Sequence, residues 1–444
     1  MARNGLGELD LSWAKHLSSS KKLGKSPRQL AWELLFEVDN SMLYSNLIVP
    51  KALSISNLDP RDKALVTNLV YGTIRMRSFL DSAIACHLDR KIESVDQKAL
   101  VTLRMGAYQL LILKTPVHAG VNEIVDLAKI VCGKSAASFV NAIMRRISEN
   151  LDFQPQNIDE IYSHPEWIVN SFRDALKDEQ IVIAQLTANN EPALPTLVAW
   201  PGRTEHEELI AEGAIHIPNS RNAFTFKGNP GEIPAVRERR AGVQDLGSQL
   251  VVETFVSTRP ISSTPLRWLD LCAGPGGKAV YMETLLPNDE LIANEPAAQR
   301  ASLVKQVLKR SKVTSFDGRD IPLELGDFDR ILIDAPCTGI GALRRRPEVR
   351  WRRQASDLRS LVQLQRELLS SASKRIRPGG LLGYATCSPH LAETKMQVRD
   401  FLKTNPDFAR ISVGEKADRD GDLQLWTYRD GTDCMFLSLL ERRA

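Results

Sequence analysis

Hydrophobic positions in the first third of the chain recur every three or four residues. In "SPRQLAWELLFEVD" a Ser-Pro pair opens the segment, and the apolar positions on one helical face are Leu30, Leu34, Leu35 and Val38. The same spacing recurs in four further segments of this region, with no strand-like alternation between them. The pattern predicts an all-α domain over residues 26–152.

From about residue 241 the pattern changes to a repeated order of strand, tight turn and helix. The segment "LRWLDLC" predicts a strand that ends in the turn "AGPGGK", and "ELIANEP" predicts the next strand. "FDRILIDAP" is a nearly continuous apolar run, as expected for a strand that is buried on both faces. The alternation predicts an α/β domain over residues 241–444 with a doubly wound, mostly parallel sheet that binds ligands at the carboxyl ends of its strands.

Two regions carry weaker patterns. Residues 1–25 mix serine, glycine and lysine, and they predict a flexible basic tail that includes Lys21, Lys22 and Lys25. Residues 153–240 contain two strand-like stretches, "PTLVAWPG" and "RNAFTFKG", on either side of the helical "HEELIAEGA". The hinge-like "GNPGEIPAVRERRAG" follows them. We interpret this region as a small α/β linker module.

Composition favours a globular protein of several domains. The chain has 444 residues, of which 43% are hydrophobic and 25% charged, and its net charge of +4 permits a nucleic-acid partner without requiring one. The six cysteines include no C-x-x-C pair, so neither a disulfide framework nor a structural zinc site is predicted. No segment has the apolar length of a signal sequence or a membrane span. We therefore expect a cytoplasmic protein with reduced thiols, no metal and no membrane partner.

The turn "AGPGGK" has the features of a ligand-binding loop. Gly274, Gly276 and Gly277 lie between a strand and a helix, where missing side chains let backbone N–H groups approach a ligand. Glu295 ends the next strand, nineteen positions after Gly276, where a carboxylate can accept hydrogen bonds from both hydroxyls of a ribose. A P-loop is excluded, because two positions of its pattern that require Gly and Ser or Thr hold Cys and Ala here. The alternative is a tight turn that binds nothing.

Two further acids end predicted strands, Asp317 in "SFDGRD" and Asp334 in "LIDAPC". A carboxylate in such a place can cap the following turn or contact a ligand. For Asp317 the sequence leaves both roles open. For Asp334 it favours ligand contact, because Pro336 and Cys337 define the turn directly beyond the strand.

Two of the cysteines differ from the rest in their context. Small core residues are the ordinary interpretation of Cys86, Cys132, Cys434 and, inside the glycine turn, Cys272. Cys337 and Cys387 each lie just past the carboxyl end of a predicted strand, where this kind of sheet binds its ligands. A thiolate there would be a strong nucleophile if a cation such as Lys278 lowered its pKa.

Three motifs together, "AGPGGK", "DAPCTG" and "TCSP", resemble those of the RNA 5-methylcytosine methyltransferases that use S-adenosylmethionine. The resemblance extends from about Gln244 to the end of the chain. Residues 26–150 resemble the helical RNA-binding fold of the antitermination factor NusB. The combination is similar to the bacterial group of small-subunit ribosomal RNA methyltransferases B. It implies an all-α NusB-like domain joined to a Rossmann-like, class I methyltransferase domain.

The resemblance implies the catalytic roles. Carbon 5 of cytosine is too weak a nucleophile to take a methyl group from a sulfonium, but addition of a thiolate to carbon 6 turns the ring into an enamine. In the family the cysteine of the T-C-S motif forms that bond, which implies Cys387 as the nucleophile. The cysteine of the P-C motif assists removal of the carbon 5 proton and release of product, which implies Cys337. Asp334 would hydrogen-bond the pyrimidine edge and stabilise developing charge. Lys278 is the fourth residue expected to be catalytic.

The resemblance also implies how the cofactor is held. Glu295 would bind the ribose and Asp317 would meet the adenine ring. The residues expected to contact S-adenosyl-L-methionine are Cys272, Ala273, Gly274, Pro275, Gly276, Gly277, Lys278, Glu295, Asp317 and Asp334. Many members have Asp where this chain has Glu295, and "QDLGSQ" lacks a usual acid, but neither departure removes a catalytic group.

The segment "ALRRRPEVRWRR" contains six arginines in twelve residues and follows Cys337 closely. We interpret it as a phosphate-contacting surface, with the tryptophan either stacking on a base or packing. The residues predicted to bind RNA are Arg344, Arg345, Arg346, Arg350 and Trp351. The alternative is an ordinary exposed charge run. Lysines of the basic tail would add attraction that salt weakens.

Taken together, the motifs predict a monomeric enzyme that methylates carbon 5 of a cytidine in RNA, with small-subunit ribosomal RNA as the expected partner. One alternative is a non-enzymatic RNA-binding scaffold of the antitermination type. Its degenerate second half should have lost Lys278, Asp334 or a cysteine, and all are present. Another is a transfer-RNA cytosine-5 methyltransferase. DNA cytosine methylation fits less well, because those enzymes use only the P-C cysteine and "TCSP" would have no role.

Overall fold

The protein divides into two compact units. In a computed structural model the described residues are 26–41, 43–258 and 265–443. The first unit ends at Val169 and also contains Arg345–Arg352, whereas the second contains Asn170–Arg344 and the chain from Arg353 onward. The predicted basic tail, with Lys21, Lys22 and Lys25, lies outside the described residues.

The first unit is built from α-helices, as its periodicity predicts. They are α1 (Pro27–Asn40), α2 (Ser45–Ile55), α3 (Pro60–Arg75), α4 (Arg77–Ala85), α5 (Gln97–Ala107), α6 (Val117–Val131), α7 (Lys134–Ser148) and α8 (Ile158–Ile161). The next helix, α9 (Glu166–Leu176), contains the boundary between the units. The apolar residues singled out in α1 are buried in the core of this unit: Leu30, Leu34, Leu35 and Val38.

Local sequence signals start several of these helices. Ser26, Asp59 and Asp96 accept hydrogen bonds from the backbone N–H three residues further on, at 3.2, 2.8 and 3.1 Å. Such caps satisfy N–H groups that have no partner inside a helix. A proline follows the cap in α1 and α3, where its fixed backbone angle suits the first helical turn.

Helix α2 is capped by a residue that is distant from it along the chain. Its own N-cap residue, Tyr44, makes no side-chain capping bond. Instead the buried carboxylate of Glu348 accepts hydrogen bonds from Ser45 N at 3.0 Å and Ser45 Oγ at 2.7 Å, although the two residues are 303 positions apart. The segment 345–352 is therefore part of the first unit, and its acid complements the positive end of a helix.

Trp351 and two arginines of the same segment donate hydrogen bonds to the carboxyl ends of two helices. Trp351 Nε1 donates to Ile74 O at 2.7 Å, and Arg350 Nη1 donates to Arg75 O at 3.2 Å, both at the end of α3. Arg352 Nη2 donates to Val38 O at 2.8 Å in the last turn of α1. Helix carboxyl termini carry unpaired carbonyl groups and partial negative charge, so cationic donors are favourable there.

After the end of α9, the second unit continues with helix α10 (Glu179–Asn190) and a four-stranded antiparallel sheet. The elements of this part are β1 (Thr196–Ala199), α11 (His206–Ala211), β2 (Ile215–His216), β3 (Ala223–Thr225), α12 (Pro234–Arg237) and β4 (Ala241–Val243). The strand order is β2-β3-β1-β4. The two strands and the helix predicted here are present, but the segment interpreted as a hinge forms α12 and the first residues of β4.

The larger sheet follows, with helices between its strands. Its strands are β5 (Arg267–Asp270), β6 (Glu290–Asn294), β7 (Lys312–Thr314), β8 (Phe328–Asp334), β9 (Ile376–Thr386), β10 (Phe408–Ile411), β11 (Leu423–Gln424) and β12 (Phe436–Arg442). The helices are α13 (Leu246–Ser257), α14 (Gly277–Leu285), α15 (Ala298–Val307), α17 (Asp357–Ser373), α18 (Lys395–Thr404) and α19 (Thr427–Asp430); the short α16 (Val349–Arg352) belongs to the first unit.

The order of strands in this sheet is β10-β12-β9-β8-β5-β6-β7, and β11 pairs with β12. Strands β5 to β9 run parallel, and β12 runs antiparallel to both β9 and β10. After β5 the chain builds β6 and β7 on one side, then returns to build β8 and β9 on the other. The predicted doubly wound, mostly parallel sheet is therefore confirmed, and its switch point lies between β5 and β8.

Over the described ranges, every helix is too short or too polar to cross a lipid bilayer.

The cap on α2 leads to a stability prediction. Glu348→Ala leaves the N–H and hydroxyl of Ser45 without their acceptor, and the loss of a helix cap costs about 1–2 kcal/mol. We expect the amides at the start of α2 to exchange with deuterium about tenfold faster or more in the full-length variant, measured by mass spectrometry. The exposed Glu93→Ala is the matched control and should leave exchange unchanged. Equal exchange in α2 for both variants would contradict the capping role.

Candidate active site

The glycine turn after β5 packs its backbone directly against Glu295. A Cβ added to Gly274 would lie 2.0 Å from Glu295 Oε2, so any other residue would clash with this oxygen. Gly276 adopts φ +111°, a backbone conformation that side chains disfavour, and α14 begins at the next residue. The turn therefore brings backbone amides and a carboxylate together at the carboxyl end of the sheet.

Glu295 is almost fully buried and held in place from two sides. Its Oε1 accepts a hydrogen bond from Ala297 N at 3.0 Å, and Arg300 Nη2 lies 3.3 Å from Oε2. Arg300 also donates to Gly274 O at 2.5 Å, so one arginine ties the acid to the glycine turn. The acid has the rigid position that binding of a diol requires.

Buried polar groups without hydrogen-bond partners lie beside the same turn. Both side-chain polar atoms of Gln244 lack such a partner among the described residues, and the carboxylate of Asp270, at the end of β5, has only the nearby backbone N–H of Cys272. Gln244 lies opposite Gly277, since a Cβ added there would be 3.9 Å from its amide carbon. Unpaired buried polar groups are costly unless a ligand satisfies them. The donors and acceptors here fit a ligand that carries hydroxyl, amino and positively charged groups.

Burial also changes the protonation of this end of β5. The pKa of Asp270 is raised to about 7, because burial disfavours the charged form and the nearby Asp334 adds repulsion; Lys278 acts in the opposite direction. The pKa of Cys272 lies well above its usual range, again because of burial, with Asp270 contributing. Cys272 packs against the core and remains a thiol, in agreement with the packing role predicted for it.

Asp317 occupies a more open position than the other acids. Its carboxylate lies 2.6 Å from Arg319 Nη2, and hydrogen bonds from Arg319 hold the pKa of Asp317 below its usual range. The pair borders an open cleft of about 580 Å³ whose other wall includes Gln363 and Glu367 of α17. Asp317 also accepts a hydrogen bond from the backbone N–H of Arg319 at 3.0 Å. It therefore caps the following turn, which is one of the two roles that the sequence left open. Its contact with adenine stays a prediction.

The loops after β8 and β9 bring two sulfur atoms together. Cys337 Sγ and Cys387 Sγ are 3.4 Å apart. Cys337 is buried, with 9% of its surface exposed, whereas Cys387 is partly exposed. Gly341 N donates to Cys387 O at 3.0 Å, and a Cβ on Gly341 would lie 2.8 Å from that oxygen, so the two loops pack closely.

A lysine and an aspartate lie beside the two sulfurs. Lys278 Nζ, from the first turn of α14, is 2.8 Å from Asp334 Oδ2 at the end of β8. Burial alone would lower the pKa of Lys278, but Asp334 and Cys387 outweigh it and the pKa is raised. Lys278 is therefore a charged ammonium group, and its electrostatic interaction with Cys387 favours the thiolate form of that cysteine.

The partner sulfur has the opposite character. Contact with Cys387 and burial raise the pKa of Cys337 well above its usual range, and Glu393 and Asp334 add to the shift. Cys337 is therefore a thiol in the resting protein. The two cysteines differ in exposure and in neighbouring charge, as two cysteines with separate chemical roles require.

The arginine-rich segment does not form one exposed surface, which corrects the predicted RNA contact of Arg350 and favours the packing alternative for Trp351. Arg350 is fully buried and donates to backbone carbonyls of the first unit, and Trp351 is partly buried against the core of that unit. Burial and the nearby Arg75 lower the pKa of Arg350 to about 9. Neither residue presents a free polar group to a phosphate. Arg344, Arg345 and Arg346 are partly exposed, so an RNA contact by these three stays a prediction.

Several residues around the site were missed by the sequence analysis. Asp270 ends a buried strand as Asp334 does, so the same reasoning would have identified it. Gln244 and Glu393 carried no comparable signal, because Gln244 lies opposite Gly277, 33 positions away, and the partner of Glu393, Thr338, is 55 positions away.

Comparison with known proteins agrees with this arrangement. Residues 263–441 match the family described as 16S rRNA methyltransferase RsmB/F, and residues 25–149 match the NusB family. The solved structure of PH0851 superposes with a TM-score of 0.80 over 95% of this chain and 100% of its own, at 22% identity, which shows a shared fold. The structure of NSun6 from Pyrococcus horikoshii with SFG gives a TM-score of 0.56 over 63% of this chain and 98% of its own, at 16% identity.

The fold and the matched families define an S-adenosylmethionine-dependent RNA methyltransferase joined to a NusB-like helical domain. A Mycobacterium tuberculosis protein is 39% identical over 94% of this chain and 96% of its own length. The ribosomal RNA small subunit methyltransferase B of Cronobacter sakazakii is 32% identical over 81% and 88% of the two chains, and that of Vibrio cholerae 30% identical over 86% and 90%. The chain belongs to the 16S rRNA methyltransferase RsmB/F family.

The raised pKa of Asp270 leads to a prediction about stability and pH. Its folded pKa of about 7 exceeds the ordinary value of 3.8, so between these values the folded state holds a proton that the unfolded state has lost. Stability therefore falls as pH rises through this window, by roughly 1 kcal/mol per pH unit. Asp270→Asn removes this pH dependence. The free energy of unfolding of the variant, relative to that of the wild type, should therefore rise from pH 5 to pH 8 when both are measured by urea unfolding.

The exposed Asp320→Asn serves as the control for that measurement, since its free energy of unfolding should run parallel to the wild-type curve. If the Asp270→Asn curve also runs parallel, Asp270 does not titrate in this window.

Proposed function

We propose that this protein transfers a methyl group from S-adenosylmethionine to carbon 5 of a cytidine in small-subunit ribosomal RNA, through a covalent bond between Cys387 and the base. The observation that carries the proposal is the pair of sulfurs, 3.4 Å apart, next to the Lys278–Asp334 ion pair. A single nucleophilic cysteine needs no second thiol beside it. In a reaction that first adds a thiolate and later removes a proton from the neighbouring carbon, a second sulfur can assist the second step.

Cys387 is the better candidate for the nucleophile. It is the more exposed of the two sulfurs and lies close enough to the Lys278 ammonium to raise the pKa of that lysine. Its thiolate adds to carbon 6 of the cytosine, and the electron pair of the carbon 5–carbon 6 double bond shifts toward carbon 5. Carbon 5 thereby gains the electron density that methyl transfer requires.

Cys337 acts in the second half of the reaction. It assists removal of the proton from carbon 5, after which the double bond re-forms and the bond between carbon 6 and Cys387 breaks, with its electron pair returning to sulfur. Its high pKa holds Cys337 as a thiol, which can pass its proton to the departing sulfur of Cys387, 3.4 Å away, so that the sulfur of Cys337 is free to accept the carbon 5 proton.

Asp334 and Lys278 orient the base and stabilise charge. The Asp334 carboxylate accepts a hydrogen bond from the amino group on the pyrimidine edge, which keeps carbon 6 in line with Cys387. Its bond to Lys278, 2.8 Å long, fixes both side chains at the carboxyl end of the sheet. A preformed ion pair of this kind needs no rearrangement during the reaction.

The glycine turn and the acids around it would hold the cofactor. Residues 272–278 would contact the methionine part, Glu295 the ribose and Asp317 the adenine. When bound, S-adenosylmethionine supplies a methyl group on a positively charged sulfur. Glu295 and Asp334 are paired with Arg300 and Lys278, whereas the buried Asp270 has a pKa of about 7 that a neighbouring positive charge would lower, so its carboxyl group suits a cationic ligand.

The assignment of ribosomal RNA rests on relatives, since two of them carry that substrate in their names. The NusB match over residues 25–149 favours an RNA-binding role for the first unit. Arg344, Arg345 and Arg346 remain part of the proposed RNA contact. Reduced cysteines are required for the reaction, which is consistent with a cytoplasmic setting.

Separate substitutions of the two cysteines test the mechanism. Cys387→Ala should lower methyl transfer to an RNA substrate by about 10³-fold or more, as removal of a nucleophile does, while binding of a cofactor analogue stays near the wild-type level. Cys337→Ala should form the bond to RNA but release it slowly, so a protein–RNA adduct should persist on a denaturing gel.

The control for both variants is Cys86→Ala, an exposed cysteine in the first unit that should leave transfer and adduct levels unchanged. Retained turnover in Cys387→Ala would reject the nucleophile. A Cys337→Ala protein without adduct would reject the release role.

A further inference from the structure

A fully buried glutamate lies behind the two cysteines and has no place in the mechanism described so far. Glu393 is 0% exposed and ends the short helical turn Leu391–Glu393 that follows β9. Its carboxylate accepts three hydrogen bonds: from Thr338 N at 2.8 Å, Thr338 Oγ1 at 2.5 Å and Gln365 Nε2 at 3.1 Å. A buried charge with no ion pair among the described residues is costly, so its retention needs a reason.

The hydrogen bonds of this glutamate hold Cys337 from both sides. The residue after the cysteine, Thr338, is bound through its N–H and its hydroxyl to Glu393. The residue before it, Pro336, accepts a hydrogen bond from Gln365 Nε2 at 2.9 Å, and Gln365 is itself bound to Glu393. The backbone on either side of the sulfur is therefore anchored to one buried pair of side chains.

The same network reaches the loop of Cys387. Ser388 follows that cysteine, is fully buried, and its Oγ lies 3.1 Å from Thr338 Oγ1. Tyr384, near the end of β9, donates its hydroxyl to Glu393 O at 2.7 Å. Glu393 thus connects the strand before Cys387, the residue after it and both neighbours of Cys337.

We propose that Glu393 is a positioning residue that fixes Cys337 against Cys387, so that one sulfur can add to carbon 6 while the other reaches the proton on carbon 5. The inference rests on the function proposed above. Reacting groups must be held to within roughly 0.5 Å, and a displacement of about 1 Å can cost a factor of about 100 in rate.

A carboxylate suits this position better than an amide. Both of its oxygens only accept hydrogen bonds, and the three surrounding groups donate to it. Glutamine would direct an NH₂ group at one of these donors and leave a buried polar group unpaired. The negative charge also disfavours a second thiolate, which is consistent with the raised pKa of Cys337, whose larger causes are Cys387 and burial.

Kinetics of two conservative variants test the proposal. Glu393→Gln should lower kcat by about tenfold to a hundredfold and leave KM for RNA and for the cofactor within about twofold, because the fully buried Glu393 exposes no surface to either ligand. Thr338→Val keeps the backbone N–H but removes the hydroxyl bond, and it should lower kcat by about threefold to tenfold. The exposed Glu324→Gln is the matched control and should behave as the wild type.

A second measurement follows the geometry of the two thiols without RNA or cofactor. Phenylarsine oxide condenses with two thiols held close together, forming two As–S bonds and releasing one water. Wild-type protein should bind it tightly, Cys387→Ala should lose this binding, and Glu393→Gln should weaken it by about tenfold. A glutamate that serves only overall stability would lower the melting temperature but leave arsenical binding and kcat unchanged in the folded protein.

The outcomes separate the two proposals. Lower kcat together with weaker arsenical binding in Glu393→Gln supports the positioning role. Wild-type values of both in folded Glu393→Gln and Thr338→Val overturn it. If the wild type transfers no methyl group to RNA, the proposed function fails, and arsenical binding alone still decides whether Glu393 holds the two cysteines together.

Discussion

The pairing of β8 with β9 is the constraint on which the rest of the site depends. In this parallel pair Asp334 lies opposite Ala385, so both strands end at the same edge of the sheet. The loops that follow start side by side, and each places a cysteine within three residues of its strand. A shift of register would separate the sulfurs and turn the side chains to the other face. Strand β8 pairs with β5 on the side away from β9. The glycine turn after β5 and Lys278 therefore reach the same edge of the sheet.

Charge around the cysteines is arranged so that they differ. Lys278, held by Asp334, lies on the side of Cys387, while Glu393 lies behind Cys337. If two thiols in contact had identical surroundings, either sulfur could be the one that loses its proton. A cation near one and a buried anion near the other remove that ambiguity, since each charge favours a different protonation state. The mechanism that we propose needs this asymmetry, because addition to carbon 6 and removal of the carbon 5 proton call for sulfurs of different basicity.

Features encoded by local sequence were predictable, and those created by distant contacts were not. The helical periodicity of α1, the apolar run of β8 and the glycine turn after β5 each depend on neighbouring residues, and all appear where expected. Arg350 shows the limit. An arginine in a charged run has the same sequence signature whether it faces solvent or binds helix carbonyls, and only the structure places Arg350 in the first unit. Glu393 was missed for a similar reason, because its partner Thr338 is 55 positions away.

Bisulfite sequencing of total RNA gives the most direct test that this protein is a cytosine-5 methyltransferase acting on ribosomal RNA. RNA would be compared from a strain with the gene, a strain without it, and the latter strain expressing either wild-type protein or Cys387→Ala at equal levels. The account predicts that one methylated cytidine in small-subunit ribosomal RNA disappears without the gene and returns with the wild-type protein but not with the variant. An unchanged methylation pattern, or full restoration by Cys387→Ala, would contradict it.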